Sequence, residues 1–149
     1  MIYLSINGKP VEMNPGFPAT YADLLLPRSN AWHVSNYSGK IILQRIAQFG
    51  YVISLYYFQL RKSLSFRFEL RQKVLTTTIV LKNVIRQTIC GVGKLYLKQS
   101  QFSSLYGSAM QKSIRLKDRK AALFIDFTWT QELLQQLLPA DSPYWPLFK

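Results

Sequence analysis

This sequence predicts a mainly β protein, a sandwich or barrel of antiparallel strands followed by a C-terminal helix, and three observations carry that expectation. The segment Ser63-Leu-Ser-Phe-Arg-Phe-Glu-Leu-Arg71 puts Leu64, Phe66, Phe68 and Leu70 on one face and Ser65, Arg67, Glu69 and Arg71 on the other. Period two is the signature of a half-buried strand. Comparable runs follow one another at short intervals between Gly39 and Leu97, as strands do in sandwiches and barrels. After Phe127 the period changes, and Leu133, Leu134, Leu137 and Leu138 form an apolar stripe of helical spacing that Pro139 closes.

The 149 residues fit one domain with a real core, and a hydrophobic content of 48% argues against disorder. The longest nearly uncharged run, Phe49 to Leu60, is roughly half of what a membrane-spanning helix needs. The opening residues lack a positive head before an apolar core. A soluble cytoplasmic protein without membrane partners is expected. The single cysteine, Cys90, lies in an apolar β-rich region and is expected to be a small buried hydrophobe.

Residues 1–38 read as an arm with the first short elements, because Asn7-Gly8, Asn14-Pro15-Gly16 and Pro18 favour turns. Tyr21 to Leu26 fits a helix turn or a strand, and Ala31 to Val34 a brief strand. Residues 39–128 form the expected β core. Its first two strands, Ile41 to Gln48 and Tyr51 to Leu60, flank a hairpin corner at Phe49-Gly50 and are apolar on nearly both faces. Leu64 to Arg71 comes next, then one run from Thr76 to Thr88 rich in β-branched residues, a turn at Gly91-Val92-Gly93, and Lys94 to Lys98. Gln99 to Gln111 reads as a loop. Ser113 to Lys117 and Ala122 to Phe127 close the core, the latter with Leu123, Ile125 and Phe127 expected inward. Residues 129–149 hold the helix, capped by Thr128 or Thr130, and the start of a linker.

The net charge is +12, and residues 40–120 carry it, with sixteen cations against two anions. Such a block attracts polyanions. Arg67, Arg71, Arg115 and Lys117 also fit the solvated outer face of a sheet, and both readings stand.

The residues offer little for catalysis. His33 is the one histidine, the seven carboxylates are scattered, and neither a metal set nor a nucleophile with its base emerges. A non-enzymatic protein with no catalytic residue, metal or cofactor is expected. Asp126 is the carboxylate to watch, since it sits inside an apolar strand. Binding remains, and Tyr56, Phe58, Phe66, Phe68, Tyr96, Phe102 and Tyr106 are the candidates to line a ligand cavity in the barrel, or simply to fill it.

The order of features, from a proline-containing arm through Gly39-Lys-Ile-Ile-Leu-Gln-Arg-Ile, Leu64-Ser-Phe-Arg-Phe-Glu-Leu, Gly93-Lys-Leu-Tyr-Leu and Ala122-Leu-Phe-Ile-Asp-Phe to Gln131-Glu-Leu-Leu-Gln-Gln-Leu-Leu-Pro139, resembles the N-terminal sensory domain of AraC-type transcription regulators. The resemblance covers the chain from about Ala22 onward. It implies a cupin-like double-stranded β-helix, a jelly-roll barrel without metal, and, as in some members of that family, a small-molecule effector in the barrel. It also implies a homodimer formed through helices after the last strand, and DNA binding through helix-turn-helix units on a further C-terminal segment that this sequence does not contain. Leu133, Leu134, Leu137 and Leu138 then have two readings, as a dimer seam or as packing against the barrel. The alternative function is a stand-alone basic β-barrel that binds single-stranded nucleic acid. It needs aromatics on the same outward face as the cations, and Phe66 and Phe68 point away from Arg67 and Arg71.

Overall fold

The computed structural model describes the chain apart from residues 1–4, 7, 37–38, 62–63, 71, 108–109, 117–119 and 149. Thirteen strands are described: β1 (Ser5–Ile6), β2 (Lys9–Pro10), β3 (Asn14–Pro15), β4 (Asn30–Asn36), β5 (Gly39–Gln48), β6 (Tyr51–Leu60), β7 (Leu64–Leu70), β8 (Val74–Lys82), β9 (Ile85–Ile89), β10 (Gly93–Leu97), β11 (Phe102–Gly107), β12 (Met110–Leu116) and β13 (Ala121–Thr130). One α-helix, α1 (Gln131–Leu137), follows. The strands build a six-stranded sheet in the order β10-β9-β12-β7-β1-β2 and a seven-stranded sheet in the order β11-β8-β13-β6-β5-β4-β3, with antiparallel pairings throughout. From β6 onward the chain crosses between the sheets at nearly every connection, so strands distant in sequence become neighbours. The result is a jelly-roll barrel.

The interior is filled from both sheets by side chains of alternate residues. Phe58, Phe66, Phe124 and Tyr56 are fully buried or nearly so, with ring centroids 4.5 Å apart for Phe58 and Phe66 and 4.8 Å for Tyr56 and Phe124. Phe68 meets Tyr56 edge-on at 5.3 Å. Val11 and Met13 from the arm pack against this cluster.

The arm also explains why β5 is apolar on both faces. Ile41 and Leu43 join the barrel interior, whereas Ile42 and Gln44 face outward and are nonetheless buried, because the 3-10 helix over Ala19–Leu24 and the residues after it lie on that side. Gln44 fixes them through its Nε2 donating to the Leu24 carbonyl at 2.7 Å and its Oε1 accepting from Leu26 N at 2.6 Å. Tyr21 stacks at a tilt on Tyr57, 5.3 Å away.

The β5–β6 hairpin corner falls at Phe49-Gly50 as the sequence predicts. Gly50 has φ 81°, and a Cβ there would stand 2.6 Å from Leu133 Cβ. Only glycine suits both the backbone and the approach of α1.

Four expectations are corrected. The run Thr76 to Thr88 is two strands in different sheets, β8 and β9, because Asn83 adopts φ 62° and turns the chain; asparagine tolerates this left-handed geometry. Gln99 to Gln111 is not a loop, since β11 and the start of β12 find complete ladders against β8 and β7. On β13 the inward residues are Ala122, Phe124 and Asp126, while Leu123, Ile125 and Phe127 lie half-buried on the outer face. Cys90 is exposed at the turn after β9 rather than buried.

Truncating Phe124, whose ring stacks on two others, should cost about 3–5 kcal/mol, read as a fall in the denaturant midpoint of Phe124→Ala.

Candidate functional site

Beside the aromatic cluster the barrel interior becomes polar. Register places Arg45, Ser54, Asp126, Thr78 and Ser103 side by side across five neighbouring strands of the seven-stranded sheet, so their side chains share the inner face. Lys112 reaches toward them from β12 of the opposite sheet. Its Nζ lies 2.9 Å from Asp126 Oδ2 and donates to Thr78 Oγ1 at 3.1 Å, and Thr78 Oγ1 donates to Asp126 Oδ1 at 2.5 Å. All three side chains are buried. Lys112 Nζ also sits 5.5 Å from the centre of the Phe68 ring, a favourable place for a cation. Both ions have left water, so each depends on the other and on Thr78 for its solvation.

Among the described residues three polar side-chain atoms, Arg45 Nε, Tyr56 Oη and Gln87 Nε2, are buried without a hydrogen-bond partner of good geometry. Arg45 belongs to the polar row and Tyr56 to the next inward row. Gln87 stands on the six-stranded sheet, and its Oε1 accepts from Ser103 Oγ at 3.4 Å. Burial, reinforced by the negative charge of Asp126, pushes the Tyr56 phenol up from its ordinary pKa, against smaller opposing effects of Ser54 and Arg45. The phenol is a neutral donor, held in a dry place. Buried groups of this kind each cost about 1–3 kcal/mol when left unpaired, so the interior beside the ion pair is polar and incompletely paired among the described residues.

The seven sequence candidates for ligand contact are not brought together. Tyr56, Phe58, Phe66 and Phe68 are core, packed on one another. Tyr96 and Phe102 point outside, 49% and 67% exposed, on opposite sheets, and Tyr106 is half-buried on β11 with Lys73 Nζ 5.5 Å from its ring centre. The expected dimer stripe is divided as well. Leu134 is buried, Leu133 stands against Gly50, Leu138 is half-buried and Leu137 is 58% exposed. Thr130 caps α1, its Oγ1 accepting from Leu133 N at 3.3 Å. His33 Nδ1 donates to the Gly16 carbonyl at 3.1 Å in the arm. Among the described residues no three His, Cys, Asp or Glu side chains gather as a metal set, and no helix is long and apolar enough to cross a membrane.

Solved structures share this architecture. The cupin domain of an XRE-family transcriptional regulator from Enterobacter cloacae is similar at TM-score 0.50 and 11% identity, over 60% of this chain and 95% of that one. A protein from Photorhabdus luminescens matches at TM-score 0.50 and 10% identity, over 70% and 89%. The cupin domain of Cnp3 from Schizosaccharomyces pombe matches at TM-score 0.49 and 10% identity, over 82% and 78%. The fold is cupin-like. No protein-family profile and no curated protein sequence matches the chain, so the likeness is one of fold.

Within this cupin-like barrel the sequence pointed to Asp126 but not to its partner, because Lys112 is separated from it by a crossover between sheets. Lys112→Met should cost about 3–5 kcal/mol by stranding the carboxylate, and the double variant Lys112→Met with Asp126→Leu should lose less than the single one in equilibrium denaturation. Tyr56→Phe should fold at least as stably as the parent at neutral pH. An unfolded tyrosine ionises near pH 10 while the folded phenol keeps its proton, so the stability from Tyr56 is complete below about pH 10 and declines above it. Denaturation midpoints measured across that range should therefore fall less steeply for Tyr56→Phe.

Proposed function

We propose that this chain is the ligand-sensing and dimerisation domain of an AraC-type transcription regulator, a binding module rather than an enzyme, whose DNA contacts are made through helix-turn-helix units on a further C-terminal segment. The observation that carries the sensing part is the polar part of the interior, in which Lys112 and Asp126 are paired while Tyr56 Oη, Gln87 Nε2 and Arg45 Nε have no hydrogen-bond partner of good geometry among the described residues. A stable core has no use for such groups. A small ligand with acceptor oxygens would satisfy the three donors while the aromatic cluster bounds it on one side. The aromatics predicted from the sequence thus form the wall of the site more than its contacts. A cupin domain of similar fold belongs to a transcriptional regulator of the XRE type, which agrees with a sensory role for such a barrel.

Dimerisation has two surfaces to draw on. Leu137 is exposed on α1, and the outer face of the seven-stranded sheet sets Ile53 beside Phe127, and Leu55, Ile125, Ile79 and Phe102 in one row. A contiguous apolar face of this kind is where soluble proteins meet partners.

A panel of sugars, aromatic acids and other small carboxylated metabolites should contain a compound that raises the melting temperature of the parent protein by mass action, with the shift reduced in Tyr56→Phe. A panel that leaves the melting temperature unmoved would remove the sensing role. Sedimentation should give a dimer that either Leu137→Glu or Ile125→Glu dissociates, and the variant that does so identifies the face; a strictly monomeric parent would remove the dimerisation role.

A further inference from the structure

The outer face of the six-stranded sheet carries a second feature, independent of the barrel interior. Strand register lines up Ser65, Arg115, Arg86 and Tyr96 in one outward row and Arg67, Ser113, Thr88 and Lys94 in the next. Seven of the eight are exposed, and Ser113 is half-buried. Arg86 and Arg115 stand directly opposite each other on neighbouring strands. A sheet face that merely keeps a protein soluble interleaves signs, whereas like charges at opposed positions cost stability. The residues lining the central cleft of about 480 Å³ include Ser65, Thr88, Lys94 and Ser113, and a smaller cleft running on to Lys120 shares Arg86, Tyr96 and Arg115 with it. Among the described residues neither cleft is lined by a carboxylate. Glu69 is the acidic residue of β7 on this side, one row beyond Arg67.

The aromatic in this groove is what selects its partner. Tyr96 is half exposed, and the Arg86 guanidinium lies 5.4 Å from its ring centre, making a flat ring backed by a flat cation. Bases stack on such platforms without regard to sequence, while arginine, lysine and hydroxyl groups track the phosphates. An aromatic thus lies on the same outward face as the cations, although Phe66 and Phe68 do not. An unpaired base can reach the ring and a base inside a duplex cannot. We propose that this sheet face binds single-stranded nucleic acid, with a base against Tyr96 and the backbone held by Arg86, Arg115, Lys94 and Lys120.

The test is fluorescence anisotropy of a labelled single-stranded oligonucleotide of mixed sequence titrated with the whole chain over a range of salt, in competition with the matching duplex, heparin and vesicles of anionic lipid. Tyr96→Ala should weaken binding by about fivefold or more, the loss of one stacked base, and Tyr96→Phe should restore most of it. Replacing both Arg86 and Arg115 by alanine should lower the salt slope by about 1.4, the contribution of two single-strand phosphates. These residues are exposed, so unchanged melting temperatures would show that the variants fold. Absence of binding at low salt would overturn the proposal. So would binding indifferent to Tyr96→Ala, or competition in which duplex, heparin or vesicles displace the strand as well as an unlabelled strand does, either of which would reduce the face to a general polyanion attractor.

Discussion

The Lys112–Asp126 pair is a charged tie between the two sheets, and the facing of β13 depends on it. Lysine on β12 belongs to one sheet, aspartate on β13 and Thr78 on β8 to the other. Once both ions are dry, neither sheet can slip without stranding a charge. A register shift of one residue would turn Asp126 outward and bring Leu123, Ile125 and Phe127 into the interior. The pair therefore opposes the pairing that hydrophobicity alone would favour on β13. It also divides the interior, with rings on one side and a row of hydrogen-bonding groups on the other.

That conflict explains what the sequence told and what it did not. Where one face of a strand is polar, as in Leu64–Leu70, alternation gave the orientation of Phe66 and Phe68 without ambiguity, and the helix with its stop at Pro139 was equally plain, whereas its cap lay open between Thr128 and Thr130 until the structure gave it to Thr130. Where both faces are apolar, the more hydrophobic one looks like the inside. On β13 it is the outside, because the core face includes a carboxylate whose counterion arrives from another sheet. The cover of β5 was hidden for the same reason, since an arm of turns and short elements gives no periodic signal, yet Gln44 holds it through both ends of its amide. The strands of the Gln99 to Gln111 region owe their existence to ladders with β8 and β7 rather than to their own composition. Of the ligand candidates, the buried aromatics were legible as a cluster, but the polar groups beside them were not, because Gln87, Lys112 and Ser54 converge only after the crossovers.

The two outer faces of the barrel have opposite chemistry. The six-stranded sheet presents arginines, lysines and hydroxyls around Tyr96, and the seven-stranded sheet presents isoleucine, leucine and phenylalanine beyond the edge of the arm. One side repels a copy of itself while the other offers apolar area to bury, so self-association by the apolar sheets would leave the two basic faces pointing away from each other, free for other partners.

The contact between Gly50 and Leu133 gives the end of the barrel a mechanical property. The Gly50 carbonyl accepts from Thr130 N at 2.8 Å, and Leu133 occupies the space that a side chain at Gly50 would fill. The hairpin tip and the first turn of α1 are thus geared together, with no soft layer between them to absorb a displacement. A displacement of the β5–β6 tip would therefore press directly on the first turn of α1, at the far end of the strands that bring Arg45, Ser54 and Tyr56 to the interior.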